Sequence, residues 1–152
     1  MLREYARLAR PFFVMLGIVT AGRWLQGTAF SVPYEKGTHV FSIVTLCLFA
    51  SVFSAVFTRA WLGFRLGQAA GFAAFMAVVA QLVVLLSTVA SYALGLPSYF
   101  SHPTALNQAA EVGLGQALGI RAGGLVVNTI LNAIAGALGW ALGGLLSPRP
   151  GR

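Results

Sequence analysis

Two histidines, three glutamates and one cysteine are the side chains in this sequence best suited to ligate a metal or move a proton near neutral pH. His39 stands four residues after Glu35, and His102 follows a proline-containing turn, with Glu111 further on in the same segment. Imidazole and carboxylate suit zinc or iron, so any haem, metal or quinone redox chemistry would rest on His39 and His102 as ligands. A structural metal site wants four ligands at set spacing, and these four groups show no such pattern. The expectation is therefore no cofactor, with a haem- or metal-binding redox subunit as the alternative.

Arg23 is the second residue with chemical potential, because it interrupts an apolar stretch. An arginine within a span is costly unless it snorkels to water or meets a partner. Glu35 and Glu111 are the acids nearest to it in the expected topology, so Arg23 is expected to snorkel, to latch a loop onto the bundle through one of them, or to contact a transported or bound anion. Gln81, Asn128 and Asn132 are amides deep in apolar runs, and the two asparagines are four apart on one helix face. Such amides usually hydrogen-bond between helices. A polar pathway for a solute would use the same three residues, which makes a small transporter component a further alternative.

Catalysis finds little support. The sequence has no aspartate for a Ser-His-Asp arrangement, and Cys47 lies in an apolar run with no base beside it. Phosphate-cradling glycine loops, HExxH and CxxC are absent. The single cysteine also excludes a disulfide within the chain. The protein is expected not to be an enzyme.

The elements that must position these residues are four apolar stretches, 12–30, 39–57, 69–94 and 122–146. Each is long enough for the ~20 helical residues that cross a bilayer. The chain is 58% hydrophobic and 9% charged, with a mean hydropathy of +0.82. A soluble domain would be about a quarter charged, so 152 residues make one membrane domain. The net charge of +7 is no signature of nucleic-acid binding, because the arginines sit in short groups at the ends of spans.

Orientation follows from those arginines. Arg3, Arg7, Arg10, Arg59, Arg65, Arg149 and Arg152 fall on one side, and only Lys36 and Arg121 on the other. The positive-inside rule then places both termini in the cytoplasm, in what is expected to be a bacterial cytoplasmic (inner) membrane. Residues 1–10 suit an amphipathic helix at the headgroups, and Pro11 suits the first turn of the next helix. Thr38 is the expected N-cap of the second span.

The long connection after the third span has an apolar stripe at Leu106, Ala110, Leu114, Ala117 and Leu118. That spacing predicts an interfacial helix on the extracytoplasmic side. Small residues recur every four positions at Ala69, Ala73 and Ala77, and Gly136, Gly139 and Gly143 share a side of the fourth span. These faces permit close helix approach. The sequence thus predicts an all-α, antiparallel four-transmembrane-helix bundle with an interfacial helix. Its expected role is non-catalytic packing against itself or, as a complex subunit, against other membrane helices, with lipid as its medium.

Overall fold

The computed structural model describes residues 2–32, 34 and 40–146. Every regular element among them is helical: α1 (Leu2–Leu8), α2 (Arg10–Thr28), α3 (Ile43–Leu62), α4 (Leu66–Ala93) and α5 (Leu114–Leu146), with a 3-10 turn at Pro103–Leu106. Three helices, α3, α4 and α5, are long and apolar enough to cross a membrane. The count becomes four if α1 and α2, bent by 61° at their junction, form one span. The bend has a local cause. Pro11 occupies the first turn of α2, where its missing N–H is tolerated but its ring resists continuation from α1.

Contacts sort the chain ends and connections into two groups. At one end, here called basal, Tyr5 of α1 packs on Phe64 and Phe72 and donates to Gln68 O at 2.9 Å. Trp140 Nε1 donates to Phe64 O at 2.7 Å in the same region, and the Arg59 guanidinium lies 4.5 Å from the Trp140 ring centre. At the distal end, Trp24 packs on Phe100 and the Tyr99 hydroxyl donates to Val32 O.

Helix boundaries follow capping chemistry. Ser42, not Thr38, is the N-cap of α3, accepting from Thr45 N at 3.3 Å, so the helix begins after the expected 39. It ends at Gly63, whose φ of +67° is the left-handed cap that glycine adopts without strain. Arg65 then precedes α4 as its N-cap, its N–H donating to Gln68 Oε1 at 2.9 Å, which is the Gln68 half of a capping box.

The largest departure from expectation is in the long connection. The expected helix over 104–120 does not exist as a separate element. Pro103–Leu106 makes one 3-10 turn, which Asn107 ends in a left-handed conformation, φ 54°. Residues from Leu114 belong to α5, which therefore starts well before the expected 122. The apolar stripe was real but divided: Leu106 and Ala117 are both fully buried, in different elements.

Side chains on the packed faces are small. Ala69, Ala73, Ala77 and Ala80 of α4 are fully buried, as are Ser51 and Ala55 of α3. A Cβ on Gly136 would stand 2.6 Å from Ala73 Cβ, and one on Gly139 would collide with Val52 O of α3. Opposite faces are large and apolar: Phe49, Phe53, Phe57 and Trp61 of α3 are all exposed at four-residue spacing. A continuous exposed ridge of this kind suits hydrocarbon, not water.

Candidate functional site

Arg121 is the centre of the distal end. It sits two turns into α5 and reaches across to three neutral oxygens. Its Nη2 donates to Phe100 O at 2.9 Å, Nε to Thr88 Oγ1 at 3.2 Å and Nη1 to Ala105 O at 3.4 Å. Those acceptors belong to α4, to the loop after it and to the 3-10 turn, so one guanidinium ties three elements to α5. The loop is preset to receive it. Ser91 and Ser98 share a hydrogen bond of 2.7 Å, and Phe100 N donates to Ser98 Oγ at 3.1 Å.

These bonds satisfy geometry but leave the charge uncancelled. A guanidinium has five N–H donors, and three are engaged here. Among the described residues no carboxylate joins the set.

Beside Arg121 is a cavity of about 460 Å³, within the ~300–1,000 Å³ of typical small-molecule sites. Arg23, Gln81, Asn107, Arg121 and Asn128 give it polar walls, and Ile43, Val84 and Ile120 give it apolar ones. Gln81 is informative. It is only 8% exposed, lines this cavity, and makes no side-chain hydrogen bond among the described residues. Its amide is therefore open to a partner in the cavity, water included. Asn128 Nδ2 donates to Gly124 O at 2.9 Å within its own helix, and no protein donor among the described residues reaches its Oδ1. Ser42 and Ile43 bring the start of α3 to the same wall, where first-turn N–H groups lack helical acceptors and favour negative charge.

Arg23 approaches from α2. It donates to Val40 O at 2.9 Å and lies 4.8 Å from the Tyr99 ring centre and 5.8 Å from that of Tyr34. Gly22 makes this approach possible, since a Cβ there would meet the Phe41 ring at 2.6 Å. Among the described residues it meets a carbonyl and two aromatic faces, and no ion pair joins it to Glu111, one of the two expected latch partners. Glu35 and His39 lie outside the described residues.

Tyr34 and Tyr99 separate this cavity from a second, of about 600 Å³, because both line each of the two spaces. Glu111 and His102 line the second cavity. The His102 ring stacks on Tyr34 at 5.1 Å, and its Nδ1 accepts from Thr104 N at 3.3 Å. Among the described residues no group of three or more His, Cys, Asp or Glu gathers.

The three sequence-singled amides separate in role. Asn132 joins helices: its Oδ1 accepts from Ser51 Oγ of α3 at 2.8 Å in a buried setting. Asn128 and Gln81 share the cavity instead. Sequence reasoning missed Arg121, assigning it to the flank of a span. The signal was present, because Arg121, Asn128 and Asn132 fall at seven- and four-residue spacing on one face of α5.

The cavity can accept an anionic group, with Arg121 supplying charge, Gln81 a directed donor and the start of α3 a favourable dipole. Comparison with family models, with characterised proteins and with solved structures found no match to this chain.

Proposed function

We propose that this chain is a non-catalytic, four-span integral membrane protein whose distal cavity binds a small anionic group of the carboxylate or phosphate class. In this reading α1 and α2 form the first span as one bent unit. Arg3, Arg7, Arg10, Arg59 and Arg65 gather basally, so the positive-inside rule puts that end in the cytoplasm of a bacterial cell. The cavity then lies in the outer leaflet.

One observation carries the reading. Arg121 keeps its charge and two N–H donors beside a buried, unpartnered Gln81 in a cavity of ligand size. A charged side chain in a span costs ~2.5–3.5 kcal/mol on insertion scales. Three neutral acceptors relieve the hydrogen-bonding part of that cost, and an anion would relieve the rest.

Thermal unfolding in neutral detergent tests this. Phosphate or acetate should raise the melting temperature of the wild type, since a ligand at 100 times its Kd stabilises by about 2.7 kcal/mol. Chloride at equal ionic strength should not. Gln81→Leu removes no protein hydrogen bond, so it should fold normally yet lose most of the shift. A wild-type melting temperature indifferent to both anions would overturn the reading.

A second role, assembly, has its own support. Gly136, Gly139 and Gly143 are taken up inside the bundle, but a Cβ on Gly115, Gly119 or Gly123 would meet nothing within 4 Å. This small-residue face at four-residue spacing suits contact with another membrane helix. Gly119→Ile should then reduce the oligomer seen by size-exclusion chromatography with light scattering. A wild type that runs as a monomer would remove this role.

A further inference from the structure

The anion cavity has a polar interior and, where α3 faces α5, an apolar rim. Inside are Arg121, Gln81 and Asn128. On the rim are Val44 of α3 and Val127 of α5, 45% and 55% exposed on the apolar exterior of their helices. Further toward the basal end the same helices are joined, by the Ser51–Asn132 hydrogen bond and by contact of Gly139 with Val52. Distal to that junction, Val44 and Val127 border open space. A rim made of exposed apolar side chains on spanning helices faces hydrocarbon.

We infer that the anionic group held in this cavity is the head of an amphiphile, a carboxylate or phosphate ester whose alkyl chain leaves between Val44 and Val127. This rests on the anion-binding reading above. The physical case is one of matched surroundings. The head exchanges water for Arg121, Gln81 and the start of α3, while the chain remains against valines and lipid. Nothing apolar has to enter water, and nothing charged has to stay in hydrocarbon unpaired. A free anion arriving from the second cavity would have to pass Tyr34 and Tyr99, whereas an amphiphile already in the leaflet enters from the side.

The test uses purified full-length protein in neutral maltoside micelles, titrated calorimetrically with phosphate, butyl phosphate and octyl phosphate, and in parallel with acetate, butyrate and octanoate. Val127→Trp is the comparison, because it fills the rim while standing on an exposed face where folding does not depend on it. The same micelles serve both proteins, so partitioning of the probe cancels in their ratio. Wild type should prefer the octyl over the butyl member of a series. Val127→Trp should weaken octyl binding at least about tenfold, several methylenes being worth roughly fourfold each, and weaken phosphate or acetate binding far less than it weakens octyl binding. Val44→Trp should do the same from the α3 side. Equal octyl affinity in wild type and both variants would overturn the inference while leaving a free-anion site standing. Absence of binding by every probe would remove the anion reading and this inference together.

Discussion

At the basal end, α5 meets α3 backbone to side-chain-free backbone: a Cβ on Gly139 would collide with Val52 O, and one on Gly143 would lie 2.7 Å from Val56 O. At the distal end the same two helices border a cavity of about 460 Å³ with arginine, amides and a helix start in its walls. In the proposed membrane setting, lipid gives helices no hydrophobic reason to associate, so each region must find another source of cohesion. The basal half uses dispersion at close range. The distal half uses long side chains to bridge a gap, with Arg121 spanning to Thr88, Phe100 and Ala105. Close packing leaves no room for a ligand, whereas bridging creates a space with donors to spare. Under the proposed anion-binding function, the difference gives stability to one half and recognition to the other.

Substituting glycines is the strongest way to break that division. Gly139→Ala should destabilise severely, by ~3 kcal/mol, because its Cβ meets backbone that cannot yield. Gly119→Ala, with nothing within 4 Å, should be neutral or slightly stabilising through helix propensity. Unfolding in mixed micelles measures both, and equal effects would erase the contrast.

Asn132→Leu should have an intermediate effect. It removes the buried bond to Ser51 at the point where the packed and open halves meet, for about 1 kcal/mol. The companion change Ser51→Ala should add little on top, since both remove one interaction. Additive losses would mean that Asn132 has a further structural role.

The smallest effect on stability is expected at Gln81. Gln81→Leu breaks no protein hydrogen bond, so unfolding without ligand should match the wild type or exceed it slightly. Marked destabilisation would show that Gln81 belongs to the structural half.

The packed half was legible in the sequence because its signals are periodic. Ala69, Ala73 and Ala77 mark the face of α4 that becomes fully buried. Regular helix geometry turns such spacing directly into a face. The cavity was less legible because it depends on where α5 begins. The sequence puts a separate interfacial helix over Leu106–Leu118 and begins the fourth span at 122, which cuts the polar stripe from Arg121 to Asn132 at its first member, and Gly115 and Gly119 add their own local cost to a continuous helix. What carries the helix through them is tertiary: Ala117 is fully buried, and Tyr92 Oη donates to Val112 O at 2.7 Å just before the start. The acceptors of Arg121 are two loop carbonyls and a threonine hydroxyl, and side-chain periodicity cannot locate carbonyls.

The same division explains the fate of the outer acids and histidines. Glu111 and His102 were grouped with Arg23 because all lie toward one side of the chain's topology. In three dimensions Tyr34 and Tyr99 stand between the arginine cavity and the space that Glu111 and His102 line. Membership of one side of a membrane is a much coarser statement than membership of one site.

The central claim, that the distal cavity is an anion site built on Arg121, is most directly tested by a crystal structure of the protein grown with selenate, an oxyanion whose selenium scatters anomalously. The account predicts an anomalous peak at hydrogen-bonding distance from the Arg121 guanidinium and the Gln81 amide, and no such peak in Gln81→Leu crystals under the same conditions. Selenate found only at the basal arginines, with the Arg121 cavity holding none at saturating concentration, would contradict it.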